Sequence, residues 1–168
     1  MALGQAAGIR VGFYVGAQRL GDARRAVGAA ITVTLAYAVV VSVALILARY
    51  WLVSIYTADP EVTVMAATVL LFIAFYQLAD DAQGVMGGCL RGYKDTFWPM
   101  VISLAGFWVI GLPIGAALAL GWGGLEAWGL YGYWAGMSLA LALVAIGVGA
   151  RLWLTCRDDA RVVALAQR

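Results

Sequence analysis

Four long hydrophobic runs constrain this chain more than any other feature of its sequence. They cover about residues 26–48, 62–90, 97–120 and 127–150. An α-helix needs roughly 20 mostly apolar residues to cross the hydrocarbon core of a bilayer, and each run is long enough. Three of the runs contain no charged residue, while the run 62–90 carries Asp80 and Asp81. The pattern therefore predicts an all-α integral membrane protein with four full spans.

The composition supports a membrane location and excludes several kinds of chemistry. Hydrophobic residues make up 64% of the chain and charged residues only 12%, whereas about a quarter of a soluble domain is charged. Histidine is absent, and Cys89 and Cys156 are far apart without a metal-ligand spacing, which argues against structural zinc and histidine-based catalysis. We expect no enzyme, no cofactor and no nucleic-acid partner, with membrane lipid as the surroundings.

The two ends of the chain differ from the spans. Residues 2–16 are too few to cross the bilayer alone, and we interpret them as the end of a helix whose beginning is missing. Arg10 interrupts their apolar character, which argues against a signal peptide. Residues 155–168 are polar and charged, and they predict a tail that is helical only in part. Between the first two full spans, Asp59 and Pro60 are typical of a helix start.

The positive residues predict the orientation, because Lys and Arg in short loops prefer the cytoplasmic side. If the four spans alternate in direction, Arg49 alone lies on the opposite side, in a connection that also holds Asp59 and Glu61. The chain is then a multi-pass protein of the inner (plasma) membrane with a cytoplasmic C-terminus. The residues on the common side are Arg10, Arg19, Arg24, Arg25, Arg91, Lys94, Arg151, Arg157, Arg161 and Arg168.

An aspartate near the middle of a span is the strongest candidate for function. Asp80 precedes Arg91 by eleven residues, which is about 16 Å of helix and half the hydrocarbon thickness. An ionisable side chain at that depth costs at least about 2.5 kcal/mol on insertion scales and usually faces a cavity or a partner. Helical spacing places one polar face around it, formed by Tyr76, Gln77, Asp80, Gln83, Gly84 and Gly87.

Two interpretations of this polar face are open. A carboxylate in a water-filled cavity can bind a cation or exchange a proton, which is the interpretation that the shared face favours. In the alternative, the aspartates hydrogen-bond to neighbouring helices and only hold the bundle together. In the third span, Pro113 should break or kink the helix. Such a kink serves as a hinge for motion or only for packing.

Particular residue strings resemble a known family. Residues 77–83 (QLADDAQ) and 90–96 (LRGYKDT) are similar to the tenth helix and the following loop of the MATE (multidrug and toxic compound extrusion) family, NorM-like branch. Residues 9–12 with Gly16 and Ala17 resemble the end of its eighth helix. The remaining similarity lies in Trp108 and residues 111–115, for the eleventh helix, and in Gly129, Gly132, Trp134 and Gly136, for the twelfth. The resemblance covers about residues 2–154.

The resemblance implies a fold and an activity. Residues 1–154 would be most of the C-terminal lobe of a twelve-helix transporter, helices eight to twelve, followed by the tail 155–168. The activity would be secondary active multidrug efflux, in which small cationic amphipathic compounds leave against Na⁺ or H⁺. The aspartate of the family's tenth helix corresponds to Asp80, the only place where a bound Na⁺ is expected.

Further site residues are expected around Asp80. Asp81 and Gln77 are additional candidates for the cation or proton site. Tyr76 and Gln83 are assigned to the substrate cavity, and Pro113 is assigned as the hinge.

The family's first seven helices have no counterpart in this sequence. The chain is therefore interpreted first as a fragment of a full transporter, then as a truncated gene product, and last as a half-size protein that forms a homodimer. Its partner would be the missing N-terminal lobe or a second copy. A membrane scaffold or partner subunit without transport of its own is the alternative function.

Overall fold

The computed structural model describes residues 2–124 and 126–166, and every regular element within them is helical. The prediction of an all-α fold is confirmed. A π-helical segment, Gly106–Gly111, lies between α4 and α5, and a short 3₁₀ turn, Trp122–Gly124, follows α5. The α-helices are α1 (Ala2–Gly16), α2 (Leu20–Ser54), α3 (Pro60–Gly92), α4 (Phe97–Ala105), α5 (Leu112–Leu120), α6 (Leu130–Arg157) and α7 (Asp159–Ala166).

Among the described residues, four helical stretches are long and apolar enough to cross a membrane, namely α2, α3, the continuous stretch Phe97–Leu120, and α6. The helices α2 and α3 extend beyond both ends of the hydrophobic runs that predicted them, whereas α6 begins after residue 127 and extends beyond residue 150. The start of α3 follows the expected local chemistry, because the Asp59 side chain accepts hydrogen bonds from the backbone N–H groups of Glu61 and Val62, and Pro60 is the first helical residue. These bonds satisfy donors that a helix start otherwise leaves free.

The third span changes its winding just before Pro113. Within the π-helical segment the hydrogen bonds are one residue longer than in an α-helix, and the N–H of Leu112 donates to the carbonyl of Phe107. Proline lacks an N–H and its ring crowds the preceding turn, so a wider turn accommodates it. Pro113 is then the second residue of α5 and is exposed. The helix is therefore not broken at Pro113, and its winding changes just before that residue, while a kink and a role as a hinge stay predictions.

The best-packed core lies at the Lys/Arg-rich end of the bundle. Val11 of α1, Leu90 of α3 and Val148 of α6 are completely buried there, together with Tyr93 after α3. Burial raises the pKa of the Tyr93 phenol above its ordinary value, and its hydroxyl accepts a hydrogen bond from Cys156. Large apolar side chains elsewhere remain exposed on the outer surface, which suits contact with lipid.

Glycines bring α1 and α3 into direct backbone contact. Gly4 and Gly8 of α1 lie against Gly84 and Gly88 of α3, and a Cβ atom added at Gly4 or Gly8 would lie 2.7 Å from the facing carbonyl oxygen. Gly92 continues the contact, since its Cβ would lie 2.6 Å from the Gly8 oxygen. Small residues four apart are a common way for membrane helices to approach closely. We call this contact the glycine seam.

Candidate cation site

The helix α3 carries Asp80 to the middle of its span. The helix continues from Pro60 to Gly92, so Asp80 lies far from both helix ends. Residues 75–83 around it are exposed or half-buried, and none is fully buried. The polar part of α3 is therefore a face of the bundle rather than part of its core.

The two neighbouring aspartates have different surroundings. Asp81 is half-buried, and its Oδ2 accepts a hydrogen bond of 2.8 Å from Nε2 of Gln77, one turn earlier on the same helix. Asp80 is exposed and makes no hydrogen bond or ion pair with any residue in 2–124 or 126–166. The purely structural interpretation requires hydrogen bonds from the aspartates to neighbouring helices. Within residues 2–124 and 126–166, neither carboxylate forms such a bond. Among the described residues, no hydrogen bond or ion pair therefore competes with a ligand for the Asp80 carboxylate.

The two residues assigned to the substrate cavity contact different helices. The ring of Tyr76 packs edge-on against Trp134 of α6, with 6.1 Å between the ring centroids. The amide Nε2 of Gln83 lies 3.4 Å from the Ser103 hydroxyl of α4. Tyr76 and Gln83 thus connect the polar face of α3 to the two following spans.

The structure brings together some of the predicted site residues but not all of them. Gln77, Asp80 and Asp81 lie within about one helical turn of one another. Pro113 is on α5, beyond the π-helical segment, and takes no part in the hydrogen bonds and ring contacts that surround Asp80. Any influence of Pro113 on Asp80 is therefore indirect.

A buried ion pair at the Lys/Arg-rich end escaped the sequence analysis. Asp95, in the loop after α3, is 4% exposed, and its Oδ2 accepts a hydrogen bond of 2.7 Å from Nε of Arg151 on α6. The Arg151 guanidinium also lies 5.2 Å from the centroid of the Trp98 ring. The partners are 56 residues apart in sequence, so no local pattern relates them. The presence of Asp95 in the string LRGYKDT was the only available signal.

The arrangement around Asp80 suits a small cation. A free carboxylate on a membrane-spanning helix attracts positive charge, and the side-chain oxygens of Gln77 and Asp81 are on the same stretch of helix. Hard cations take several oxygen ligands. Within the described part of the chain, no group of three or more His, Cys, Asp or Glu side chains converges. The oxygen atoms of Asp80 and its neighbours have the chemistry of part of a cation site, and the Asp80 carboxylate alone has the chemistry of a proton site.

Comparison with known proteins relates the chain to one family. The sequence model of the MatE family matches residues 1–117. The chain is 38% identical over 165 residues to "Multidrug resistance protein MdtK" of Proteus mirabilis, covering 98% of this chain and 36% of that protein. It is 37% identical over 156 residues to "Multidrug resistance protein PmpM" of Pseudomonas aeruginosa, covering 93% and 33%.

A further relative and a solved structure agree with this match. "Probable multidrug resistance protein NorM" of Halalkalibacterium halodurans is 38% identical over 159 residues, covering 95% of this chain and 34% of the relative. The structure titled "Crystal structure of eukaryotic MATE transporter AtDTX14" has a TM-score of 0.84 at 22% sequence identity. The match covers 98% of this chain and 36% of that transporter. This structural similarity supports the assignment of the fold. The chain spans about a third of the length of these proteins, and it belongs to the MatE family.

Proposed function

We propose that the chain forms the C-terminal part, helices eight to twelve, of a multidrug exporter, and that Asp80 binds the Na⁺ or H⁺ that drives export. The observation that carries the proposal is the Asp80 carboxylate in the middle of a membrane span, which has no hydrogen bond or ion pair among the described residues. A charge there is costly to insert, and such residues generally mark ion or substrate pathways. The names of the relatives, which are multidrug resistance proteins, support efflux as the activity.

The proposed coupling follows from competition for one charged region. A cation entering from outside neutralises Asp80, and a cationic substrate then leaves more readily. In transporters of this general type, two lobes move about a central site. This chain supplies one set of helices, and we propose that the opposing set is either an N-terminal lobe or a second copy. The orientation proposed with this function places the Lys/Arg-rich end in the cytoplasm of the inner membrane.

The test is drug efflux by the complete gene product carrying Asp80→Asn, with Asp81→Asn as the matched control. Both substitutions remove one charge from adjacent positions, and the amide oxygen introduced by Asp81→Asn can still accept the hydrogen bond from Gln77. We expect Asp80→Asn to lower cation-driven efflux by about tenfold or more, and Asp81→Asn to lower it far less. Undiminished, cation-dependent efflux by Asp80→Asn would remove Asp80 from the mechanism. Absence of efflux by the unsubstituted protein in proteoliposomes would favour a scaffold subunit.

A further inference from the structure

A partly polar cavity, half open to its surroundings, lies between α1, α3 and α4 on the Lys/Arg-rich side of Asp80. Its volume is about 310 Å³. Its polar lining consists of Gln5 from α1, Gln83 and Arg91 from α3, Thr96 before α4, and Ser103 on α4. We call this space the α3/α4 cavity. It differs from the apolar grooves on the outer surface, because amide, hydroxyl and guanidinium groups from three elements meet in it.

The chemistry of this lining requires water. A side-chain amide offers two donors and two acceptor sites, and the one bond of 3.4 Å between Gln83 and Ser103 satisfies few of them. Unsatisfied polar groups are expensive in hydrocarbon. A polar space far larger than the volume of one water, which is about 30 Å³ in the liquid, is expected to be hydrated.

The position of the cavity links Asp80 to the Lys/Arg-rich end of the bundle. Gln83 and Gly84, which line its inner part, lie within one turn of Asp80 on the same face of α3. Arg91, at the other end, is about 12 Å further along the helix than Gln83. Along this path, Gly84 and Gly87 present no side chain to narrow the space.

We propose that the α3/α4 cavity is a water-filled passage through which the coupling ion moves between Asp80 and the Lys/Arg-rich side of the membrane. The proposal rests on the assignment of Asp80 as the coupling-ion site. Arg91 stands at the mouth, and its side chain forms no ion pair with the residues that the structure describes. Its positive charge repels cations at the mouth and therefore slows their passage in both directions.

The first test is the reactivity of thiols placed in the passage. The variants Ser103→Cys and Leu104→Cys are matched, because they are adjacent on α4, but Ser103 lines the cavity while Leu104 is 58% exposed on the outer surface. Both are made in the complete gene product carrying Cys89→Ala and Cys156→Ser. A membrane-impermeant, positively charged methanethiosulfonate is applied to the Lys/Arg-rich side of oriented vesicles, and modification is followed by a mass shift.

We expect the thiol at position 103 to react at least about tenfold faster than the thiol at position 104, because only a hydrated thiol ionises readily. Equal rates at both positions, or no reaction at 103, would overturn the proposal. Gln83→Cys provides a second position on the facing helix, with the same expected reactivity.

The second test asks whether the hydrated space carries the ion. Modification of the thiol at 103 should abolish cation-driven efflux, while the same reagent leaves the background protein active. If position 103 is modified and efflux continues unchanged, the cavity is wet but is not the passage. This outcome is distinct from failure of the proposed function, which the Asp80→Asn measurement reveals without any thiol chemistry.

Discussion

Two neighbouring parts of α3 have opposite characters. From Val85 to Leu90 every residue except the half-buried Met86 is buried, with Val85 at 1% exposure and both Cys89 and Leu90 at 0%. From residue 75 to residue 83 no residue is fully buried, and the polar side chains of the candidate site are concentrated there. One part is held by close packing and the other leaves a carboxylate free. The contrast teaches that α3 is anchored at its Lys/Arg-rich end and serves as a support for the polar part.

The buried ion pair of the anchored end should be the most sensitive point. Replacing Arg151 with Gln leaves Asp95 buried without its cationic partner, and we expect the free energy of unfolding to fall by about 3 kcal/mol. Thermal or denaturant unfolding in detergent measures the effect. The control is Arg19→Gln, which breaks the more exposed pair with Asp22 and should cost less than about 1 kcal/mol. Similar losses from both variants would contradict the assignment of the anchor.

The glycine seam provides the second comparison. A Cβ atom at Gly88 would collide with the backbone of Gly4, whereas one at Gly84 meets nothing within 4 Å. Gly88→Ala should therefore lower the free energy of unfolding by about 2 kcal/mol, because a backbone cannot rotate away as a side chain can. Gly84→Ala, one turn earlier on the same helix, is the matched control and should be nearly neutral. Equal stability of the two variants would show that α1 and α3 are further apart than described.

A substitution in the polar part of α3 should not lower the stability of the protein, in contrast to the substitutions at the anchored end. Asp80→Asn removes a charge that forms no ion pair with the described residues of the membrane span, so we expect stability to stay the same or to rise by about 1 kcal/mol. The measurement is the same unfolding experiment in detergent. A clear loss of stability would mean that the Asp80 carboxylate has a structural partner and would weaken the contrast between the two parts of α3.

The smallest effect is expected at Ser103. Its hydroxyl is 3.4 Å from the Gln83 amide, which is a long hydrogen bond, and water can replace it in a hydrated cavity. Ser103→Ala should change the free energy of unfolding by less than about 0.5 kcal/mol. A loss well above 1 kcal/mol would indicate a dry contact between α3 and α4 in place of the α3/α4 cavity.

The features that depend on local chemistry could be predicted from the sequence. The existence of the spans follows from the hydrophobic runs, and the cap at Asp59 follows from the Asp-Pro pair. Asp80 could be selected from the sequence because a charged residue within a long apolar run is costly to insert into a membrane. By contrast, the pairing of Asp95 with Arg151 depends on how α3 and α6 are arranged in space. The glycine seam shows a repeat of four residues in each of its two helices, at 4, 8 and 12 and at 84, 88 and 92, but the register between the helices is a property of the fold.

The difference between Asp80 and Asp81 in hydrogen bonding could not be predicted from the sequence either. Both residues are aspartates on one helix, and helical spacing placed Asp80 nearer the centre of the polar face. Only the structure shows that Gln77 donates its hydrogen bond to Asp81. The π-helical turn before Pro113 is a similar case, because proline predicts an interruption but not the form that it takes.

The most direct test of the central claim is whether the coupling cation stabilises the protein through Asp80. A ligand that binds only the folded state raises its stability, by about 2.7 kcal/mol at a concentration one hundred times its dissociation constant. The unfolding temperature of the complete gene product is measured across a series of Na⁺ concentrations and pH values, with Asp80→Asn and Asp81→Asn in parallel. The account predicts that the unsubstituted protein and Asp81→Asn are stabilised by Na⁺ or by acidification, while Asp80→Asn loses that response. An unchanged response in Asp80→Asn would contradict the account.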